Sequence, residues 1–150
     1  MNMMSLKDYL QGFELFDGLS EEELDQVLSI CRERVLSKGE VLTLEGEFGD
    51  EMYVIIDGFV EVLLSGSAGA PPRAVVNLGP GQITGEMALI DQGPRSATVK
   101  ALSDPTCVQV IKQEDFDKLC RQNTQIGYIV MKNMAADLVF KLRHRNLSER

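Results

Sequence analysis

A mainly β domain, a sandwich or barrel with helices at both ends, is the fold class this sequence predicts. Three observations lead there. Between about Arg34 and Ile111, short apolar runs are cut by glycine-bearing turns at close intervals, a pattern of antiparallel sheets rather than of alternating βαβ units. On either side, apolar residues recur at helical spacing. The chain of 150 residues, 44% hydrophobic and 25% charged, suits one globular domain spanning 1–150 with a real core.

The first quarter reads as helical. Leu6, Leu10, Phe13 and Phe16 suggest a short helix and a turn ending at Asp17-Gly18. Ser20-Glu21-Glu22-Glu23 is a capping box, with Ser20 as N-cap and Glu23 three positions on. Leu19 and Leu24 are placed as a hydrophobic staple over it. Leu24, Val27, Leu28 and Cys31 then repeat at helical spacing and are expected to face a core.

Strands follow. Val41 to Leu44 ends at the two-glycine loop Glu45-Gly46-Glu47-Phe48-Gly49-Asp50. Glu51 to Ile56 is a strand, Asp57-Gly58 a tight turn and Phe59 to Leu64 the next strand. In that strand Val60, Val62 and Leu64 share one face, and Phe59, Glu61 and Leu63 the other. Ser65 to Pro72, rich in small and turn-forming residues, is a hairpin tip. Ala74 to Leu78 returns as a strand and stops at Gly79-Pro80-Gly81. Ser96 to Leu102 and Thr106 to Ile111 form a last pair around Ser103-Asp104-Pro105. Helices resume with Gln113 to Arg121, carrying Phe116 and Leu119. A longer one runs from about Thr124 to Arg145. Its stripe of Ile126, Val130, Met134, Leu138 and Leu142 is widened by Met131 and Ala135.

Composition narrows the function. The formal net charge of -8 argues against general nucleic-acid binding, because no basic surface dominates. The one basic run, Lys141-Leu142-Arg143-His144-Arg145, reads as a solvated helix end whose cations suit the helix dipole; docking to an acidic partner is the alternative. No apolar run approaches the roughly 18 residues of a membrane span, and the N-terminus lacks a secretory h-region. Cys31, Cys107 and Cys120 are far apart and His144 is the only histidine. Neither a disulfide frame nor a metal site is expected, and a reducing cytoplasm is the expected compartment. There is no Walker-type loop and no paired acid–base constellation, so an enzyme is not expected.

The chemistry concentrates in Gly85-Glu86-Met87-Ala88-Leu89 and Pro94-Arg95-Ser96-Ala97-Thr98-Val99. Gly85 permits backbone angles closed to other residues and lets a ligand approach the main chain. A helical turn over Glu86 to Ile90 would offer the N–H groups of Met87 and Ala88 to an anion. Arg95 adds a planar cationic fork suited to phosphate, and Ser96 a hydroxyl beside it. Glu86 repels phosphate but accepts from a sugar hydroxyl, so an acid beside an anion site suggests a ribose phosphate. Taken singly, Glu86 reads as an acidic residue at a helix start and Arg95 as a surface or salt-bridged arginine, and pairing the two would be a purely structural role.

Together these segments resemble the phosphate-binding cassette of the cyclic nucleotide-binding domain family. Gly39-Glu40-Val41-Leu42, Met52-Tyr53-Val54-Ile55-Ile56-Asp57-Gly58-Phe59-Val60-Glu61-Val62 and Leu78-Gly79-Pro80-Gly81 extend the resemblance over nearly the whole chain. It implies an eight-stranded β jelly roll with N-terminal helices, a short phosphate-binding helix and a C-terminal helical pair. It further implies that Glu86 holds the ribose 2′-hydroxyl and Arg95 the cyclic phosphate. The amides of Met87, Ala88 and Ala97 and the Ser96 hydroxyl would complete the cradle, with Val62 and Val75 as the apolar wall. Thr84, where the family usually has a bulky apolar residue, and Met87, in place of leucine, are mild departures.

The family uses its last helix to dimerise and to cover the base, so a homodimer through the Ile126 to Leu142 stripe is implied; packing of that helix on the roll is the alternative. One cassette, and no recognition helix for DNA, lead to the expectation of a stand-alone sensor. Its ligand would be cyclic AMP in preference to cyclic GMP, although Ser96 after the arginine also occurs with cyclic GMP recognition. It would act on an unidentified effector, without DNA, membrane or metal. The competing expectation is an interaction scaffold whose cassette binds nothing.

Overall fold

The computed structural model describes residues 5–148, with side chains through His144. Eight strands form two antiparallel four-stranded sheets: β1 (Cys31–Leu36), β2 (Val41–Thr43), β3 (Glu51–Asp57), β4 (Val60–Leu64), β5 (Arg73–Leu78), β6 (Ile83–Thr84), β7 (Thr98–Ala101) and β8 (Thr106–Lys112). One sheet has the order β1-β8-β3-β6, the other β2-β7-β4-β5. Apart from the β4–β5 hairpin, which stays within the second sheet, successive strands alternate between the sheets, as in a jelly roll. The helices are α1 (Leu6–Gln11), α2 (Glu21–Leu28), the single turn α3 (Ala88–Asp91), α4 (Gln113–Gln122) and α5 (Thr124–Ser148), with a 3-10 turn at Glu14–Phe16. No helix among the described residues is long and apolar enough to cross a membrane.

Strand β3 explains how two cores coexist. Its side chains alternate, so Tyr53 and Ile55 enter the space between the sheets, while Met52 and Val54 face the helices. The inner core adds Leu36, Leu42, Val60, Leu78, Val99 and Val108. The outer core is roofed by Leu10, Phe16, Leu24, Phe116, Leu119, Ile126, Val130 and Met134. Covered on both faces, β3 therefore reads as an unbroken apolar run rather than as alternation.

Local signals set the helix ends. Ser20 accepts from the Glu23 amide at 3.2 Å and Glu23 accepts from the Ser20 amide at 2.9 Å, the reciprocal pair expected of the capping box. Ser5 and Asp8 form a second box at the start of α1. Helix α2 stops at Leu28, and Cys31 opens β1 instead of extending the helical repeat. Its half-buried thiol donates to the Val27 carbonyl at 3.4 Å. The exposed strand β1, antiparallel to β8, and the two-residue β6 carry too little apolar pattern to be read from sequence.

The stripe on α5 divides in two. Ile126, Val130 and Met134 are buried, but Leu138 is only half-buried and Leu142 is exposed. Asn133 fixes the seated half by donating to the carbonyls of Leu15 at 2.8 Å and Asp17 at 2.9 Å. Beyond Met134 the helix leaves the core and passes along the open end of the second sheet.

Met134→Ala removes a fully buried side chain, and urea unfolding is expected to show a loss of about 2–5 kcal/mol. Ser20→Ala, which removes a cap alone, is expected to cost about 1 kcal/mol.

Candidate functional site

A cleft of about 1220 Å³ opens between the second sheet, the segment from Thr84 to Ala97 and the outer half of α5. Val62 on β4 and Val75 on β5 supply apolar wall, with Gly85, Glu86, Met87 and Ala88 along one side. Arg95, Ser96 and Ala97 line it just before β7, and Asp137, Phe140, Lys141 and His144 reach it from α5. All nine residues singled out in the sequence lie along this one cleft.

Glu86 is 5% exposed. A carboxylate that deep needs a partner, and Lys141 provides it: Nζ donates to Glu86 Oε1 at 3.1 Å and to the Ile83 carbonyl at 2.8 Å. The same ammonium lies 2.8 Å from Asp137 Oδ2, one helical turn back on α5. The other Glu86 oxygen, Oε2, is buried without a hydrogen-bond partner among the described residues. Burial pushes the Glu86 carboxyl above its ordinary range, the Lys141 charge and the residue's own backbone amide pull it back, and Asp137 pushes it up again.

Arg95 is held by a different set of groups. Its amide donates to the Glu47 carbonyl at 2.7 Å, and its carbonyl accepts from Gly46 at 2.9 Å. The guanidinium donates through Nη1 to the Glu51 carbonyl at 2.8 Å and through Nη2 to the Tyr53 hydroxyl at 3.3 Å. Tyr53 in turn donates to Glu51 Oε1 at 2.9 Å. Burial, reinforced by Glu51, pushes the Tyr53 phenol up to about 12, so it stays protonated and able to donate.

Two sequence expectations change here. The helical turn spans Ala88–Asp91 rather than Glu86 to Ile90, and the Ala88 amide donates to the Gly85 carbonyl at 3.1 Å. Gly85, at φ +79°, folds its carbonyl back over the turn, so that donor is not free for an anion. Strand β7 begins at Thr98, which leaves Ser96 and Ala97 in the preceding loop. As for the salt-bridge alternative, no ion pair joins Glu86 to Arg95 among the described residues; Lys141 takes that place.

The resemblance implies that the last helix covers the base but names no residue of it for the cleft. Lys141 and His144 belong to the basic run that reads as a solvated helix end, and Phe140 carries no signal of its own. The structure turns Lys141 inward to Glu86 and sets the Phe140 and His144 rings at the cleft with centroids 3.9 Å apart. The available signal was Asp137 one turn before Lys141, which makes an i,i+4 pair that orients the ammonium.

The family described as "Cyclic nucleotide-binding domain" matches residues 33–123. The cyclic AMP receptor protein of Thermus thermophilus is 34% identical over 138 residues, 92% of this chain and 61% of that protein. A cyclic nucleotide-gated potassium channel of Rhizobium etli is 35% identical over 118 residues, 79% of this chain and 31% of the channel. The crystal structure of a cyclic nucleotide-binding domain from Methylobacillus flagellatus aligns with a TM-score of 0.85 at 26% identity, covering 97% of this chain and 82% of that one. The chain spans less than two thirds of either sequence relative's length. A jelly roll whose cleft is walled by the Gly85 to Ala97 segment, matched by family, relatives and fold alike, makes this chain a member of the cyclic nucleotide-binding domain family.

Proposed function

We propose that this domain is a regulatory module that binds cyclic AMP in preference to cyclic GMP and passes its occupancy to α5. One observation carries the reading: Glu86 Oε2 is a buried acceptor without a partner among the described residues, in a cleft that Arg95 also lines. An orphaned carboxylate oxygen is costly in an apolar surround, and a ribose hydroxyl is a donor of the right kind. Arg95 uses two of its five N–H groups on Glu51 and Tyr53, leaving three for a phosphate. Ser96 and the amides of Met87 and Ala97 would add donors, with Val62 and Val75 against sugar and base. The 34% identity to a cyclic AMP receptor over 92% of the chain supports adenine. Relatives named as a receptor and a gated channel support a regulatory rather than a catalytic role.

The outer face of α5 supports self-association. Tyr128, Met131, Ala135, Leu138 and Leu142 alternate at three- and four-residue steps, the seam of a two-stranded coiled coil. Tyr128, Met131 and Leu142 are 66%, 39% and 59% exposed. A second copy of this chain is the proposed occupant, because two like seams of this spacing can pair about a two-fold axis.

Calorimetric titration of both nucleotides tests the ligand. Arg95→Ala is expected to lose at least the roughly 1.5–3 kcal/mol of a charge-assisted hydrogen bond; unchanged cyclic AMP affinity, or tighter binding of cyclic GMP, counts against the reading. For the seam, light scattering is expected to show a concentration-dependent dimer that the Met131→Glu/Leu142→Glu variant abolishes. A wild-type chain monomeric throughout would contradict it.

The carboxyl gives a pH test. Because Glu86 holds its proton more tightly in the folded chain, its carboxylate costs stability above the raised value, and that cost is relieved as pH falls. Lys141→Met removes the cation that opposes the rise. The Glu86 carboxyl carbon should therefore titrate at a higher pH by NMR in the variant, and an unmoved midpoint would deny Lys141 this role.

A further inference from the structure

The loop between β2 and β3 does more than connect strands. Gly46 and Glu47 clamp the Arg95 backbone through two hydrogen bonds, and Gly49 lies directly against the Arg95 side chain. A methyl group added at Gly49 would overlap the guanidinium, the three nearest atoms being its Nε, Cζ and Nη2. One added at Gly85 would stand 2.9 Å from Nη1 and 3.0 Å from the Glu51 carbonyl. Beneath the guanidinium, the Tyr53 ring has its centroid 5.5 Å from Arg95 Cζ, within cation–π range. Its hydroxyl accepts from Nη2 and donates to Glu51. Arg34, 3.4 Å from Glu51 Oε1, holds that carboxylate from the far side. Tyr53 itself is 2% exposed and does not line the cleft.

We propose that Gly49, Tyr53 and Glu51 form a slot that fixes the Arg95 guanidinium in its anion-binding pose, making Gly49 and Tyr53 positioning residues for phosphate affinity. This rests on the reading that Arg95 binds the cyclic phosphate. A free arginine side chain loses rotamer entropy when it is fixed. Here that loss is met during folding by two donor contacts and a ring face, so less remains to be lost when the ligand arrives. The slot has room for the planar guanidinium only because residue 49 has no side chain.

Gly49 does not take a positive φ, so Gly49→Ala strains no backbone and displaces only the end of Arg95. Tyr53→Phe keeps the ring and removes the hydroxyl. Titrated calorimetrically with cyclic AMP on the full chain, each is expected to weaken binding by about tenfold, with the thermal midpoint of Gly49→Ala unchanged. In the Arg95→Ala background each should change affinity by less than about twofold, whereas in Glu86→Gln the full loss should persist.

Equal losses with and without Arg95 would mark a merely structural role and overturn the slot. So would wild-type or tighter binding by Gly49→Ala and Tyr53→Phe while Arg95→Ala is weakened. If Arg95→Ala itself binds like the parent, the phosphate reading falls and the slot with it, an outcome distinct from failure of the slot alone. Should Tyr53→Phe lower the thermal midpoint, Gly49→Ala carries the test.

Discussion

The burial of the Glu86 carboxylate is the constraint around which the C-terminal part of the molecule is arranged. A charge removed from water costs several kcal/mol unless an opposite charge meets it in good geometry. That charge comes from Lys141, 55 residues along the chain. To deliver it, α5 must first be seated by Ile126, Val130 and Met134 under the β1-β8-β3-β6 sheet and tied to the N-terminal turn by Asn133. Only then does its outer half cross the cleft with Asp137, Phe140, Lys141 and His144 on the inner side. The course of the helix and the depth of the carboxylate therefore depend on each other.

Arg95 and Lys141, two of the cations that line the cleft, are mounted differently, and the difference follows from their chemistry. Arg95 stands on the roll: its backbone is clamped by the β2–β3 loop and its planar fork rests on a carbonyl and a phenol. A guanidinium presents donors in a fixed plane, so an anchored one defines a direction. Lys141 stands on α5 and meets Glu86 as a compact point charge on a flexible stem, which tolerates small displacements of the helix. In the proposed reading, phosphate binding is a property of the roll and its loops, while the sugar subsite, through Lys141, senses where α5 lies.

Much of this was legible in the sequence because it was local. The capping box at Ser20, the turn at Asp57-Gly58 and the faces of β4 follow from neighbours a few positions apart. The cassette was legible as a cluster of residue types, and its seven site residues, with Val62 and Val75 from β4 and β5, converge on one cleft. What escaped was non-local. Strand β1 is exposed over most of its length and β6 is two residues long, so neither carries periodicity. The Ala88 amide looked like a free helix donor because the turn's recoil onto Gly85 is a backbone event without a side-chain signature. Lys141 is the plainest case: a basic run near a helix end has a sufficient local explanation, and only a carboxylate brought to it through the fold reveals another. Tyr53 and Gly49 escaped for the same reason, since a core-like tyrosine and a loop glycine state nothing alone about Arg95.

A ligand can shift α5 only by binding one of its positions better than another. The two oxygens of Glu86 give that difference a sign in the proposed reading. With α5 in place, Oε1 is taken by Lys141 while Oε2 is buried without a partner among the described residues. A sugar hydroxyl donating to Oε2 then leaves the Lys141 contact intact and relieves a buried acceptor. With α5 withdrawn, water would reach both oxygens, and the same hydroxyl would merely exchange one hydrogen bond for another at small net gain. A difference of about 1.4 kcal/mol between these two situations is tenfold in affinity, and by reciprocity tenfold in the population of the seated helix. Occupancy of the sugar subsite would thus hold α5 against the roll without any contact between ligand and helix, provided that Lys141 stays on its own oxygen.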